Sequence, residues 1–206
     1  MEEKDYTGTV PEKFDGGNIN AERVAELHNI AAAKALFIAA RKRLLDVNNW
    51  KEISKQPIAE FSLTDSNGNE VSGPVQEGMY FRIDIPGPGT KTGNGFDWVL
   101  VEKISEYQLE DIESIGIRVR PASNPKNMDQ EIAHFYSPQT TSTFTITREN
   151  TKVTAAVYDR NTKANTDDLG FLDKLRNMLT GAVGILAFSK IQWESLTDGL
   201  IKDNNC

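Results

Sequence analysis

Thiols and imidazoles are scarce in this chain. It has one cysteine, Cys206, and two histidines, His28 and His134, among 206 residues. A lone cysteine closes no intrachain disulfide, and as the last residue it is not fourth from the end, where prenylation needs it. Two histidines without H-x-x-x-H or H-x-E spacing leave no zinc set, so neither a metal nor a cofactor is expected. Positive charge is also in deficit: 23 Lys and Arg against 30 Asp and Glu give a formal charge of −7. That is the wrong sign for a sequence-independent grip on nucleic acid or an anionic membrane. The one basic cluster, Arg41-Lys42-Arg43, reads as a complement to a helix C-terminus.

Long apolar runs are missing too. The longest, Ile30 to Ala40, is broken by Lys34 and falls far short of the roughly 20 residues that cross a bilayer. No membrane insertion is expected. The opening MEEKDYTGTVPEKF is acidic and lacks the apolar segment of a signal peptide, so a reducing cytoplasmic location is the default expectation.

Nucleotide and nucleophile motifs are also absent. The glycine-rich stretch PGPGTKTGNGFDWVLVEKI, Pro86 to Ile104, places Lys91-Thr92 before Gly93 and runs on into a strand pattern. A phosphate cradle needs the lysine after a glycine and a helix N-terminus to follow. The stretch therefore reads as a long turn, with Phe96 and Trp98 as candidates for the rim of a pocket. No G-x-S-x-G turn accompanies His134, so no serine triad is indicated.

What is present is a helix–strands–helix order. Residues 1–19 read as a loose polar arm with room for a short strand at Tyr6–Val10. Residues 20–201 read as a single α+β domain, and 202–206 as a polar tail. Asn20 suits an N-cap and Glu22 a first turn, predicting a helix to about Asp46. Its centre, IAAAKALFIAA, is apolar on nearly every side and calls for cover.

Six short segments follow with period two: IAEFSLTD, MYFRIDI, FDWVLVEKI, SIGIRVR, TSTFTITR and KVTAAVYDR. Asn67-Gly68 and Glu149-Asn150 mark turns between strands. The connection 121–140 has room for a short helix in NMDQEIAHF. From Thr166 the helical period returns, with Leu172, Leu175, Leu179, Ala182 and Leu186 on one face and an end near Leu200. A break at Ser189-Lys190-Ile191-Gln192, which has capping-box form, is the alternative. The expected fold is a curved antiparallel sheet gripping a long C-terminal helix, with a long N-terminal helix beside it.

The run LLDVNNWKEIS, then AEFSLTDSNGNEV, EGMYFRIDI and WVLVEKI, resembles the opening of the START-like, or SRPBCC, superfamily, which includes Bet v 1-like proteins and polyketide cyclases. The features carrying the resemblance are a helix ending near Trp50, Gly78 before the aromatic Tyr80-Phe81, and a closing helix around Leu169–Leu200. The superfamily starts with a full strand before its first helix, and here only Tyr6–Val10 offers one. The resemblance implies a helix-grip fold whose cavity takes lipids, sterols, polyketides or hormones, and in a minority of members does chemistry.

Candidate site residues follow from type and position. Arg160, in YDRNTKANTDD at the end of the last strand, suits a bidentate grip on a carboxylate, although strand-end turns and caps use the same residues. Arg118 and Arg120 share one strand face, read as solvated. Gly181 and Gly184 interrupt the final helix where a ligand or a close neighbour would need room, which makes Leu179, Val183 and Leu186 candidate lining residues. His134, Asp97 and Asp159 are the candidates for acid–base chemistry. The favoured reading is a non-enzymatic binder or carrier of a small apolar or amphipathic ligand in a cavity of several hundred Å³. An interaction module with a filled interior, or an acid–base enzyme of cyclase or hydrolase type, are the alternatives. A homo-oligomer is compatible with each.

Overall fold

The computed structural model describes residues 4–54, 59–85, 92–127, 131–165 and 182–202. Seven antiparallel strands form one sheet in the order β1-β7-β6-β5-β4-β3-β2. They are β1 (Gly17–Glu26), β2 (Glu60–Thr64), β3 (Tyr80–Asp84), β4 (Asp97–Leu109), β5 (Ile112–Pro121), β6 (Thr141–Glu149) and β7 (Lys152–Thr162). Between β1 and β2 lie α1 (Ile30–Leu45), a 3-10 turn at Val47–Asn49 and the single turn α2 (Trp50–Ile53). A last helix, α3 (Ala182–Leu200), closes the chain. The six strands expected from period two are all present.

The N-terminal expectation needs correction. Residues 20–26 are strand, not helix, and the first strand is Gly17–Glu26 rather than Tyr6–Val10. Ile19 and Ala21 are buried and Asn20 is exposed, an alternation that the cap-like Asn20 and Glu22 disguise. The ladder with β7, running from Gly17↔Thr162 to Glu26↔Lys152, outweighs the modest helix propensity of AERVAE. The full opening strand that the superfamily pattern asks for is therefore there.

Helix α1 starts nine residues later than expected, because Asn29 rather than Asn20 is the N-cap: its side chain accepts from Ala32 N–H at 2.8 Å. Ala33, Leu36, Phe37, Ala40 and Leu44 are its buried residues, a single stripe at helical spacing. Ile38 on the other side is 66% exposed, so α1 is covered on one face only. Of the cations at its end, Arg43 donates to the carbonyls of Leu200 at 2.9 Å and Lys202 at 2.8 Å. It thereby satisfies the C-terminal carbonyls of α3.

One face of the sheet packs on α1, α2 and α3 and makes the core. Trp50 is its keystone, 1% exposed, with ring centroids 5.3 Å from Phe61, 5.5 Å from Phe81 and 4.9 Å from Phe144. Its indole N–H is shared between the carbonyls of Arg43 and Leu44. Truncating a residue placed like this costs roughly 3–5 kcal/mol.

The opposite face carries a buried row, Thr141, Thr143, Thr145 and Thr147, on β6. The segment 4–16 covers it and is no loose arm. Thr143 Oγ1 donates to Thr9 O at 3.2 Å, and Lys103 Nζ to Gly8 O at 2.9 Å. Tyr6 stacks on Tyr107 with centroids 5.6 Å apart. Gly116 makes the close approach possible, since a Cβ there would stand 2.2 Å from Thr9 Oγ1. No helix among the described residues is long and apolar enough to cross a membrane.

Candidate functional site

Where α3 crosses the sheet, the described residues enclose a cavity of about 40 Å³, room for about two waters. Phe61, Phe81, Ile83, Val99 and Phe144 supply its apolar wall; His134, Tyr136, Ser142, Ser189 and Gln192 its polar one. The expectation of several hundred Å³ between the sheet and the closing helix is not met among the described residues. The reason is aromatic filling: Trp193 on α3 lies edge-on to Phe144 at 5.2 Å and tilted to Phe61 at 6.1 Å.

The segment 131–137 builds the polar wall. Instead of the short helix expected in NMDQEIAHF, residues 131–137 make two bridges, Ser123↔Ile132 and Tyr136↔Ala164, with a bend at His134-Phe135 between them; residues 128–130 lie outside the described residues. Trp98 N–H donates to Ala133 O at 2.8 Å and Asn165 N–H to Phe135 O at 2.8 Å. Held on both sides, the segment stacks His134 on Phe135 and Tyr136, with centroids 4.4 and 5.9 Å apart.

Three buried titratable candidates surround this segment. His134 Nδ1 accepts the N–H of Tyr136 at 2.9 Å, which leaves the ring proton on Nε2. Burial pushes the imidazole pKa down to about 3, so the ring is neutral throughout the physiological range. Asp97 Oδ2 accepts from Phe135 N–H at 3.3 Å. Burial pushes its pKa up to about 8, against the opposing pull of that hydrogen bond. Asp159 is pushed up to about 6, again by burial, with Ser142, Trp193 and Arg160 favouring the charge. Its Oδ2 accepts the indole N–H of Trp193 at 2.8 Å, while its Oδ1 is buried and makes no hydrogen bond. Tyr136, whose hydroxyl bonds Ser189 Oγ at 3.1 Å, has its phenol pKa raised by burial and by the charge on Asp159.

The structure thus gathers Asp97, His134 and Asp159 around residues 134–136, but only His134 lines the cavity. Phe96 and Trp98 do not face it. Phe96 lies under the Arg82 guanidinium at 4.6 Å. Trp98 alternates with the core-facing Val99 and is buried on the far side, its indole donating to Gly93 O at 3.3 Å. The turn expected in the glycine stretch is visible at Thr92–Gly95, with Asn94 and Gly95 at positive φ; residues 86–91 lie outside the described residues.

Arg160 also misses the cavity, because it alternates with Asp159. It lies over the Tyr158 ring at 5.2 Å and donates to Asn20 Oδ1 at 2.7 Å. Arg118 and Arg120 occupy the same far face, and both bond Glu102, as a polar outer surface requires. Leu179 and Gly181 lie outside the described residues. Val183, Gly184 and Leu186 belong to the α3 backbone, and their surroundings are not among those described.

Residue types alone did not point to Trp193, Gln192, Ser189 or Tyr136. One signal was available: Ser189, Trp193, Leu196 and Leu200 recur at helical spacing, a stripe turned to the sheet. Gln192 beside it accepts from Ala59 N–H at 3.0 Å, just before β2.

The element order, the strand order and the closing helix on the core face define a helix-grip α+β fold. No family model matches the chain, and a search of curated proteins returns no match. Among solved structures it is similar to a truncated norcoclaurine synthase from Thalictrum flavum, at 6% identity and a TM-score of 0.35, covering 94% of this chain and 100% of that one. It is also similar to Ara h 8.0201, at 12% identity and a TM-score of 0.31, covering 91% of this chain and 100% of that one. Both similarities concern the fold.

Proposed function

We propose that this protein binds a small, largely apolar ligand between its sheet and α3, in the cytoplasm, and does not transform it. The observation that carries the reading is the composition of the cavity wall: aromatic and aliphatic side chains on one side, and on the other a hydroxyl, imidazole and amide group held by 134–136 and α3. Sites for small molecules have this make-up, a mostly apolar concavity with a few converging polar groups. Binding without chemistry follows from how those groups are engaged. His134 is neutral and its Nδ1 is occupied by backbone; Asp97 bonds Phe135 N–H and does not reach the cavity.

Native mass spectrometry of protein purified from its own host, followed by solvent extraction, tests this. A defined adduct that is lost on denaturation supports the reading and identifies the ligand chemistry. A chain that carries nothing, and takes up no apolar probe in titration, overturns it.

A second reading, an interaction module whose interior is filled by its own side chains, is favoured by the small cavity volume and by the position of Trp193. In that case the binding surface lies elsewhere, and a pull-down with intact protein recovers a partner where extraction recovers no ligand.

A further inference from the structure

The Trp193 side chain has the attributes of a bound ligand. Its ring lies between Phe144 and Phe61, at 5.2 and 6.1 Å, and borders the cavity directly. Its one polar atom is matched to a buried carboxylate, Asp159 Oδ2, at 2.8 Å. Unlike the rest of the aromatic cluster, it is only half-buried. Asp159 is fully buried; its second oxygen makes no full hydrogen bond, and only the Ser142 hydroxyl stands near enough to favour its charge besides Trp193 and Arg160. An acceptor in that state costs free energy and gains from any donor that reaches it.

We infer that Trp193 is the built-in occupant of the ligand site, and that the ligand which replaces it is an aromatic molecule carrying an N–H or O–H donor, of indole or phenol type, bonded to Asp159. This inference rests on the ligand-binding reading and narrows it. Rotation of Trp193 away from the sheet adds the volume of an indole to the 40 Å³ already present and frees a carboxylate in one step. Ser142, directly across the sheet from Asp159, and the Tyr136 hydroxyl border the same end of the cavity. The site is matched to a donor: an anionic head group would meet Asp159 at close range and be repelled, whereas a neutral or cationic donor satisfies it.

Chemical rescue provides the test. Trp193→Ala is titrated calorimetrically with indole and with benzofuran, the same shape without the N–H. Indole should bind roughly tenfold more tightly or better, because a site built around a hydrogen bond discriminates against the analogue that lacks it. Adding Asp159→Leu should abolish the preference. Equal binding of the two probes, or binding of neither by folded Trp193→Ala, overturns the inference.

Should Trp193→Ala fail to fold, wild-type protein carrying 5-fluorotryptophan gives three fluorine resonances, one for each tryptophan, with Trp193 assigned from Trp193→Phe. On titration with 2-naphthol, the Trp193 resonance should move to a solvent-exposed position. Binding that leaves it unmoved overturns the inference while the ligand-binding reading stands. Uptake of indole by Trp193→Ala with no uptake of either probe by wild type supports the occupant and ends the ligand-binding reading. Binding by neither protein ends both.

Discussion

Gly199 lies directly against the carbonyl of Ile53: a Cβ on Gly199 would come within 2.1 Å of Ile53 O and 2.6 Å of its carbonyl carbon. The last turn of α3 and the single turn α2 therefore touch backbone to backbone. Gly199→Ala would gain about 1 kcal/mol of helix propensity, but the overlap forces the two turns apart. Overpacking of this kind costs about 1–3 kcal/mol. Urea denaturation should give a lower midpoint at unchanged slope; a higher midpoint would mean that the two turns part at little cost.

Stability should depend on pH with opposing contributions from three buried groups. Asp97 and Asp159 rise from 3.8 to about 8 and about 6, and His134 falls from 6.5 to about 3. Between about pH 4 and 6 the folded chain keeps both aspartate protons that the unfolded chain has lost, and lacks the imidazole proton that the unfolded chain holds. The folded state thus binds one proton more, and stability falls as pH rises, by at most about 1.4 kcal/mol per unit. From about 6.5 to 8 only Asp97 differs, and the sign is the same. Asp97→Asn should flatten the profile above pH 6.5, whereas His134→Asn should steepen it below 6. A profile from thermal unfolding that rises between pH 6.5 and 8 would contradict the assignment of Asp97.

Arg148 is buried outright, with 1% of its side chain exposed, and bonds Glu113 at 2.5 Å from directly across the β5–β6 ladder. Its other donor goes to Asn150 O at 3.0 Å. Removing the acid strands a buried cation, and breaking such pairs costs about 3–5 kcal/mol. Glu113→Ala should therefore be strongly destabilising, and the double variant with Arg148→Met less so. Equal losses in the single and the double variant, measured by denaturation, would show that the charge itself is not what matters.

Asn161 holds residues 4–16 to the sheet. Its Oδ1 accepts from the N–H groups of Phe14 at 2.9 Å and Asp15 at 3.1 Å, while its backbone has φ 56°. Asn161→Gly keeps that backbone accessible and removes only the amide. Hydrogen exchange at Phe14 and Asp15 should accelerate at least tenfold, while β6 and β7 stay protected. Unchanged protection would place the anchor at Thr9 and Tyr6 instead.

The sheet was legible because each strand carries its own period, bounded by turn residues such as Asn67-Gly68 and Asn150. Strand β1 was not, since Asn20, Glu22 and Glu26 have the polarity of a helix start and only the long ladder with β7 decides between the two. The site was legible by residue type alone. His134 was identifiable as one of two histidines, and Asp97 and Asp159 as acids on strand-like runs, but whether a strand residue faces the cavity is a matter of parity, and parity put Arg160 and Trp98 on the wrong side. Trp193 reads as one more apolar residue of a helix until the pairing of β6 with β7 places Asp159 beneath it.

Parity itself is reset once inside β4. Opposite β5 the register steps from Val101↔Val119 to Lys103↔Arg118, so Glu102 is the extra residue. Before it the odd-numbered Val99 and Val101 point to the core; after it Ile104 does, opposite Ile117. The step also lets one carboxylate serve both Arg118 and Arg120. Glu102 thus works as a phase marker that splits one strand into two reading frames. Deleting it would let the ladder run on without a step, Val101 and Ile104 still facing the core opposite Val119 and Ile117, and would take from Arg118 and Arg120 the carboxylate they share.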